Sequence, residues 1–153
     1  LLSRRQRQMC IRDRCHIALI LPACYLCYAC KGDLSKATKE QRELVLDAAW
    51  EGCEMLKAAH IPVDDKENTD CYRAGTSGRR KMDAMLLAIC KTPLGRLCVS
   101  DHAMHAVAEM QYLDEAFEGL RAQTQTQMTA WDTLRGQMPS WDIMRKKTAK
   151  TRR

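Results

Sequence analysis

The sequence has 153 residues, a formal charge of +6, seven glycines, four prolines and 5% aromatic residues. That length supports one domain with a real core and is too short for a two-domain enzyme. Alanine, leucine, methionine, glutamate and lysine dominate, which suits packed helices rather than sheet, so the expectation is an all-α, single helical domain of about five helices. The charge sits at the ends: residues 1–14 and 145–153 together carry +10 and the body between them −4. A mildly acidic body offers no basic face, which argues against a nucleic-acid partner.

Nine cysteines are an odd, scattered set, and no secretory leader is expected before them. Reduced thiols and a cytoplasmic setting are expected. The longest apolar run, Ile17 to Cys30, falls short of the ~20 residues of a membrane-spanning helix and contains Pro22. No transmembrane segment is expected.

In chain order, LLSRRQRQMCIRDR (1–14) lacks an apolar period and resembles a translated sequencing adapter, a non-native scar to be set apart from the fold. On that expectation the native sequence starts near Cys15, and the chain is a fragment. HIALILPACYLCYAC (16–30) is apolar nearly all round, as a buried helix is, and Lys31-Gly32 ends it. Cys24, Cys27 and Cys30 form C-x2-C-x2-C, the beginning of an iron–sulfur motif. Leu34 stands where the fourth cysteine would be, so packing as small core residues is the favoured reading.

Thr38-Lys39-Glu40-Gln41 has the capping-box pattern and predicts a helix over 38–60 with Leu44, Val45, Ala48, Ala49, Cys53 and Leu56 inward. Arg42, Glu51 and their charged neighbours are expected on the solvent side. Residues 62–80 are polar and rich in turn formers, with Gly75 and Gly78 for unusual backbone angles and no role for Tyr72. Apolar spacing resumes over 80–90, and Trp131, Leu134 and Met138 mark a last helix over 130–138. Trp141 is expected to cap the core, and the basic tail 142–153 to be solvated and frayed.

The longest periodic stretch is 100–122. Ala103, Val107, Met110, Leu113, Phe117 and Leu120 form one apolar stripe, with Ser100 as N-cap. Asp101, His105 and Glu109 follow at four-residue steps on a neighbouring strip, with His102 beside them. These groups can move protons. They also offer His102, His105 and Glu109 as three metal ligands from one face, although no second Glu-x-x-His helix completes a two-metal bundle, and no metal is expected.

The order of pieces, KGDLSKAT, EQRELVLDAAWEGCEMLKAAHIPV, KTPLGRLCVSDHAMHAVAEMQYLDEAF and MTAWDTLR, resembles the helical C-terminal domain of ketopantoate-reductase-like (2-dehydropantoate 2-reductase-like) oxidoreductases. The likeness spans roughly residues 15–141. It implies a 6-phosphogluconate-dehydrogenase C-terminal-like fold that pairs with an N-terminal Rossmann domain binding NADP. No Gly-rich fingerprint after a strand occurs in this chain, so the Rossmann half is absent and no cofactor is expected for the fragment. The resemblance places the family's glutamate at Glu109 and its general-acid lysine near residues 13–14. The family's early asparagines have no counterpart, since Asn68 is the single asparagine. What the resemblance implies is the substrate side of an NAD(P)-dependent oxidoreductase acting on a small carbonyl or hydroxy acid, with Glu109 catalytic and Asp101 and His102 facing the cleft. Two other classes are open: a helical interaction module forming a homodimer, and a metal-binding bundle.

Overall fold

The computed structural model describes the backbone of residues 2–151 and the side chains of 15–66 and 68–147. Six helices of nine residues or more form the frame: α1 (Leu2–Ala29), α2 (Lys39–Ala58), α3 (Ser77–Lys91), α4 (Val107–Thr124), α5 (Thr129–Gln137) and α6 (Trp141–Thr151). Among the described residues there is no strand, as the composition predicts.

The 16–30 prediction lies inside α1, whose helical backbone begins at Leu2 and so runs through the stretch set apart as a scar. Its apolar character on every side has a direct consequence: Ala18, Leu21, Cys24, Tyr25, Leu26, Cys27 and Tyr28 are all nearly inaccessible. Such a helix must be surrounded. It packs chiefly on α2 and α5, which also pack on each other, so these three helices form the centre. The end of α1 is the expected one, with Lys31 and Gly32 at positive φ of 54° and 84° and the Gly32 amide donating to the Cys27 carbonyl at 2.9 Å. That left-handed step closes a helix by satisfying its last carbonyls.

The capping box at α2 is complete. The Gln41 amide donates to Thr38 Oγ1 at 3.2 Å, and Gln41 Oε1 accepts from the Thr38 amide at 3.1 Å. Two charges on this helix depart from the expected solvent side. Arg42 is buried, with Nε 3.6 Å from Asp83 on α3. Glu51 reaches across to α5, where Oε1 and Oε2 accept from the Ala130 and Trp131 amides at 3.0 and 2.9 Å. A carboxylate there matches both the free amides and the positive end of the α5 dipole. Periodicity marks such residues as outward, but a neighbouring helix end supplies their partners.

Residues 62–80 are more ordered than their composition suggests. Helical turns at Asp65–Thr69 and Asp70–Tyr72 carry Tyr72 into the core. Thr76 starts α3 three residues earlier than periodicity indicates, accepting from the Arg79 amide at 3.1 Å. Gly75 has the positive φ, 83°. Gly78 does not; it is inside α3, where a Cβ would lie 2.9 Å from the Asp70 carbonyl oxygen. The two glycines are needed for different reasons, one conformational and one steric.

The predicted helix over 100–122 is two helical pieces. The first begins at Thr92, whose Oγ1 accepts from the Gly95 amide at 3.3 Å, with Pro93 in the first turn. It continues through a π-type turn at Arg96–Asp101 and an α turn at His102–His105. Ser100 is therefore in mid-helix, not at a cap. The helix breaks at Ala106 (φ −99°, ψ 28°), and α4 follows from Val107. The apolar stripe survives the break: Ala103, Val107, Met110 and Phe117 are buried, and Leu113 and Leu120 are half-buried. At the C-terminal end, the stretch expected to fray forms α6 instead, with Met144 buried.

Candidate functional site

The α4 stripe contains one residue that its period places inward and its chemistry does not. Asp114 lies between Met110 and Phe117 and is wholly buried. Four donors converge on it: the Tyr25 hydroxyl from α1, Arg135 Nε at 3.1 Å and Nη2 at 2.8 Å from α5, and Trp141 Nε1 at 2.7 Å from α6. Because a buried carboxylate is costly unless it is paired and fully hydrogen-bonded, this constellation fixes four helices relative to one another. Burial first, and then the Asp114 charge, hold the Tyr25 phenol far above its ordinary range. Burial opposes the protonated Arg135, yet the bond to Asp114 and the charge of Asp114, with smaller help from Tyr25 and Glu118, together raise the guanidinium further. Aromatic packing surrounds the network. Trp131 stacks on Phe117 (4.7 Å between centroids) and meets the Tyr25 edge, while Tyr28 meets Trp141 edge-on.

None of the sequence-predicted groups is a hydrogen-bond partner of Asp114. Asp101, His102, His105 and Glu109 are all exposed. His105 Nδ1 is 2.6 Å from the Asp101 carbonyl oxygen, a backbone partner that occupies the ring within its own turn. Since the helix breaks at Ala106, Glu109 is not on a continuous four-residue ladder with Asp101 and His105. That geometry removes the basis of the three-ligand metal face, and among the described residues no three His, Cys, Asp or Glu side chains gather to hold a metal ion.

Glu109 and Asp101 nevertheless act on one face of α1. Burial, with Cys27 and then Glu109 adding negative potential, pushes the Cys24 thiol up to about 12. Burial also pushes Cys27 up to about 11, with Cys30 and Asp101 adding to it and the Ser100 hydroxyl opposing. Cys24 and Cys27 are one turn apart. The Cys24 thiol also lies 3.5 Å from Met110 Sδ. Ser100 is buried, and its hydroxyl bears on the Cys27 thiol.

His102 lines a cavity of about 200 Å3 together with Cys24, His16, Ile20, Met85 and Ile89. Of the predicted groups, His102 alone lines this cavity; Glu109 adds negative potential at Cys24, and Asp101 does so at Cys27. The three thiols of C-x2-C-x2-C are buried and free, as the core reading expects.

Asp114 is the residue that sequence reasoning passed over. Its signal was present: an aspartate four residues after Met110 and three before Phe117 falls within the apolar stripe. Comparison with protein-family models, curated proteins and solved structures finds no match to the chain.

Proposed function

We propose that this chain is the substrate-side helical domain of an NAD(P)-dependent oxidoreductase of the ketopantoate reductase type, with the 6-phosphogluconate-dehydrogenase C-terminal-like fold. The observation that supports it best is the apolar cavity of about 200 Å3 that His102 and Cys24 line, with the Glu109 charge felt at that thiol. Hydride chemistry needs a nucleotide domain, which in this reading a Rossmann half supplies in the parent protein. Bound there, the reduced cofactor NADPH would supply the hydride to a carbonyl substrate.

Within that arrangement the chain binds and orients a small carbonyl or hydroxy acid. Glu109 is the catalytic carboxylate, holding or passing a proton at the carbonyl oxygen; His102 donates to the substrate, and Asp101 contributes charge from one turn away. On this reading the parent protein is a homodimer in the cytoplasm. The described part of the chain has no helix long and apolar enough to cross a membrane.

A second reading, a non-catalytic interaction module, draws on a different observation. Leu87, Leu94, Leu97 and Tyr112 are large, apolar or aromatic, and 40%, 69%, 65% and 71% exposed. A contiguous apolar patch marks a contact site, and this reading requires these side chains to form one.

The test is to join the chain to its Rossmann half and follow NADPH oxidation with a panel of small 2-oxo acids. Turnover with the joined protein and none with the chain alone supports the oxidoreductase. No turnover in the joined protein, with a concentration-dependent dimer in gel filtration, favours the interaction module.

A further inference from the structure

The cavity beside His102 has a floor and a rim of different chemistry. Leu19 and Leu26 on α1, Val45 on α2 and Leu86 on α3 are buried, and two thiols, Cys24 and Cys90, complete the floor. Burial keeps both thiols protonated, and the Cys24 thiol already donates to Met110 Sδ at 3.5 Å. Water therefore finds few partners in this space, and an apolar cavity of about 150 Å3 is already large enough for benzene. At about 200 Å3 this one admits a single ring, or a short branched chain, with a small substituent.

The lining also decides the charge of the occupant. Among the described residues no Asp, Glu, Lys or Arg lines the cavity, so an ion brought there leaves water without meeting a counter-charge. An anion is disfavoured further, because the Glu109 carboxylate adds negative potential at Cys24. The rim, in contrast, is polar: His16 on α1 and His102 in the turn before Ala106 are both exposed. A neutral imidazole presents one donor and one acceptor, and a hydroxyl group answers either.

We propose that this cavity binds an uncharged alcohol with a one-ring or short branched hydrocarbon body, the hydrocarbon seated among the buried side chains and the hydroxyl at the rim with His16 and His102. Affinity comes from the apolar body and orientation from the hydroxyl. The proposal rests on the lining of the cavity and not on the oxidoreductase reading.

The experiment titrates the 153-residue chain with toluene, benzyl alcohol, benzoate and benzylammonium, which share one ring and differ in the head, while following isoleucine methyl resonances. Toluene and benzyl alcohol shift the methyls of Ile20 and Ile89, which line the cavity, and leave those of Ile61 and Ile143, which do not. Benzoate and benzylammonium bind about tenfold or more weaker than benzyl alcohol, because each brings a charge to a lining without a partner for it. Ala23→Phe, which fills the space, removes the response to toluene and to benzyl alcohol. His16→Ala combined with His102→Ala weakens benzyl alcohol by about threefold or more and leaves toluene unchanged. Absence of any methyl shift with benzyl alcohol overturns the proposal, as do shifts that survive in a folded Ala23→Phe. A charged ligand that binds as tightly as the alcohol, or an alcohol affinity indifferent to both histidines, overturns it equally. Should Ala23→Phe not fold, the four-ligand comparison on the unaltered chain decides alone. NADPH turnover in the joined protein is read separately, and neither result alters the other.

Discussion

Asp114 on α4 and Arg135 on α5 form a two-point pair, with Nε and Nη2 of the guanidinium 3.1 and 2.8 Å from the two carboxylate oxygens. The aspartate side chain is wholly buried and the arginine 39% exposed, so the two partners are not equivalent. Removing Arg135 leaves a buried charge short of its counter-ion, whereas an exposed pair contributes roughly 0–1 kcal/mol. Arg135→Ala is expected to destabilise the fold by about 3–5 kcal/mol in urea unfolding. A loss below about 1 kcal/mol would show that Tyr25 and Trp141 suffice to hold the carboxylate.

Glu51 caps α5 from outside the helix, accepting from two of its first amides. Glu51→Ala leaves those amides without a partner, and a loss of about 1–2 kcal/mol is expected, the range for N-cap deletions. Glu51→Gln, which keeps an acceptor and loses the charge, should recover part of it. Equal losses for both variants in chemical denaturation would assign the effect to charge alone.

Gly52 faces the tightly packed contact of α2 with α1, α4 and α5. A Cβ there would lie 3.1 Å from Ala18 Cβ, 3.3 Å from Trp131 Cζ3 and 3.4 Å from Phe117 Cζ. Gly52→Ala gains helix propensity of about 1 kcal/mol, but overpacking costs about 1–3 kcal/mol. The expected outcome is a lower Tm with perturbed tryptophan fluorescence, and a raised Tm would contradict the packing described.

The legibility of this fold follows the range of the forces involved. Local signals transfer well: the Thr38 capping box, the Lys31-Gly32 stop and the Val107-Met110-Phe117 stripe all depend on residues within a turn or two of one another. What fails is set at long range. Arg42 and Glu51 read as solvent-facing because the helix period cannot see the Asp83 carboxylate or the α5 amides. Ser100 reads as a cap because a serine before an apolar run is a good N-terminus, yet Thr92-Pro93 upstream is a better one. Asp114 was hidden by its neighbours, since its donors come from residues 25, 135 and 141, and its place in the stripe was the one local clue. The Asp101, His105 and Glu109 ladder is legible as a spacing, but the break at Ala106 that interrupts it is not.

High pH should unfold the protein cooperatively. Burial holds the Tyr25, Tyr28 and Tyr72 phenols above their ordinary value of 10.0, and the Cys24 and Cys53 thiols at about 12 against 9.0. For an acid whose folded pKa is raised, the unfolded chain loses its proton first. The contribution is therefore complete below the unfolded value and lost as pH rises through the folded one. Stability is expected to be flat up to about pH 9 and to fall from there towards pH 12. Circular dichroism at 222 nm and tyrosinate absorbance should change together; tyrosinate formation with the helix signal intact would contradict this.

The same thiol environments predict labelling order. Cys98 is exposed, whereas Cys24, Cys27 and Cys53 are buried and pushed up to about 12, 11 and 12. Because the thiolate is the reacting species, Cys98 should take up a maleimide at pH 7.5 well before those three, which label only on unfolding. Early modification of Cys24 or Cys27, read by peptide mass, would show that α1 opens.

The central claim is that Glu109 serves chemistry or substrate orientation in the parent protein, and one substitution tests it most directly. Glu109→Gln keeps the shape and removes the charge at an exposed position, so the fold should be unaffected, as the melting curve will show. In the protein joined to its Rossmann half, the account predicts a fall in kcat/KM of about tenfold or more, corresponding to ~1.4 kcal/mol of barrier. Unchanged turnover and unchanged substrate affinity in that variant would contradict it and return Glu109 to the solvated face of α4.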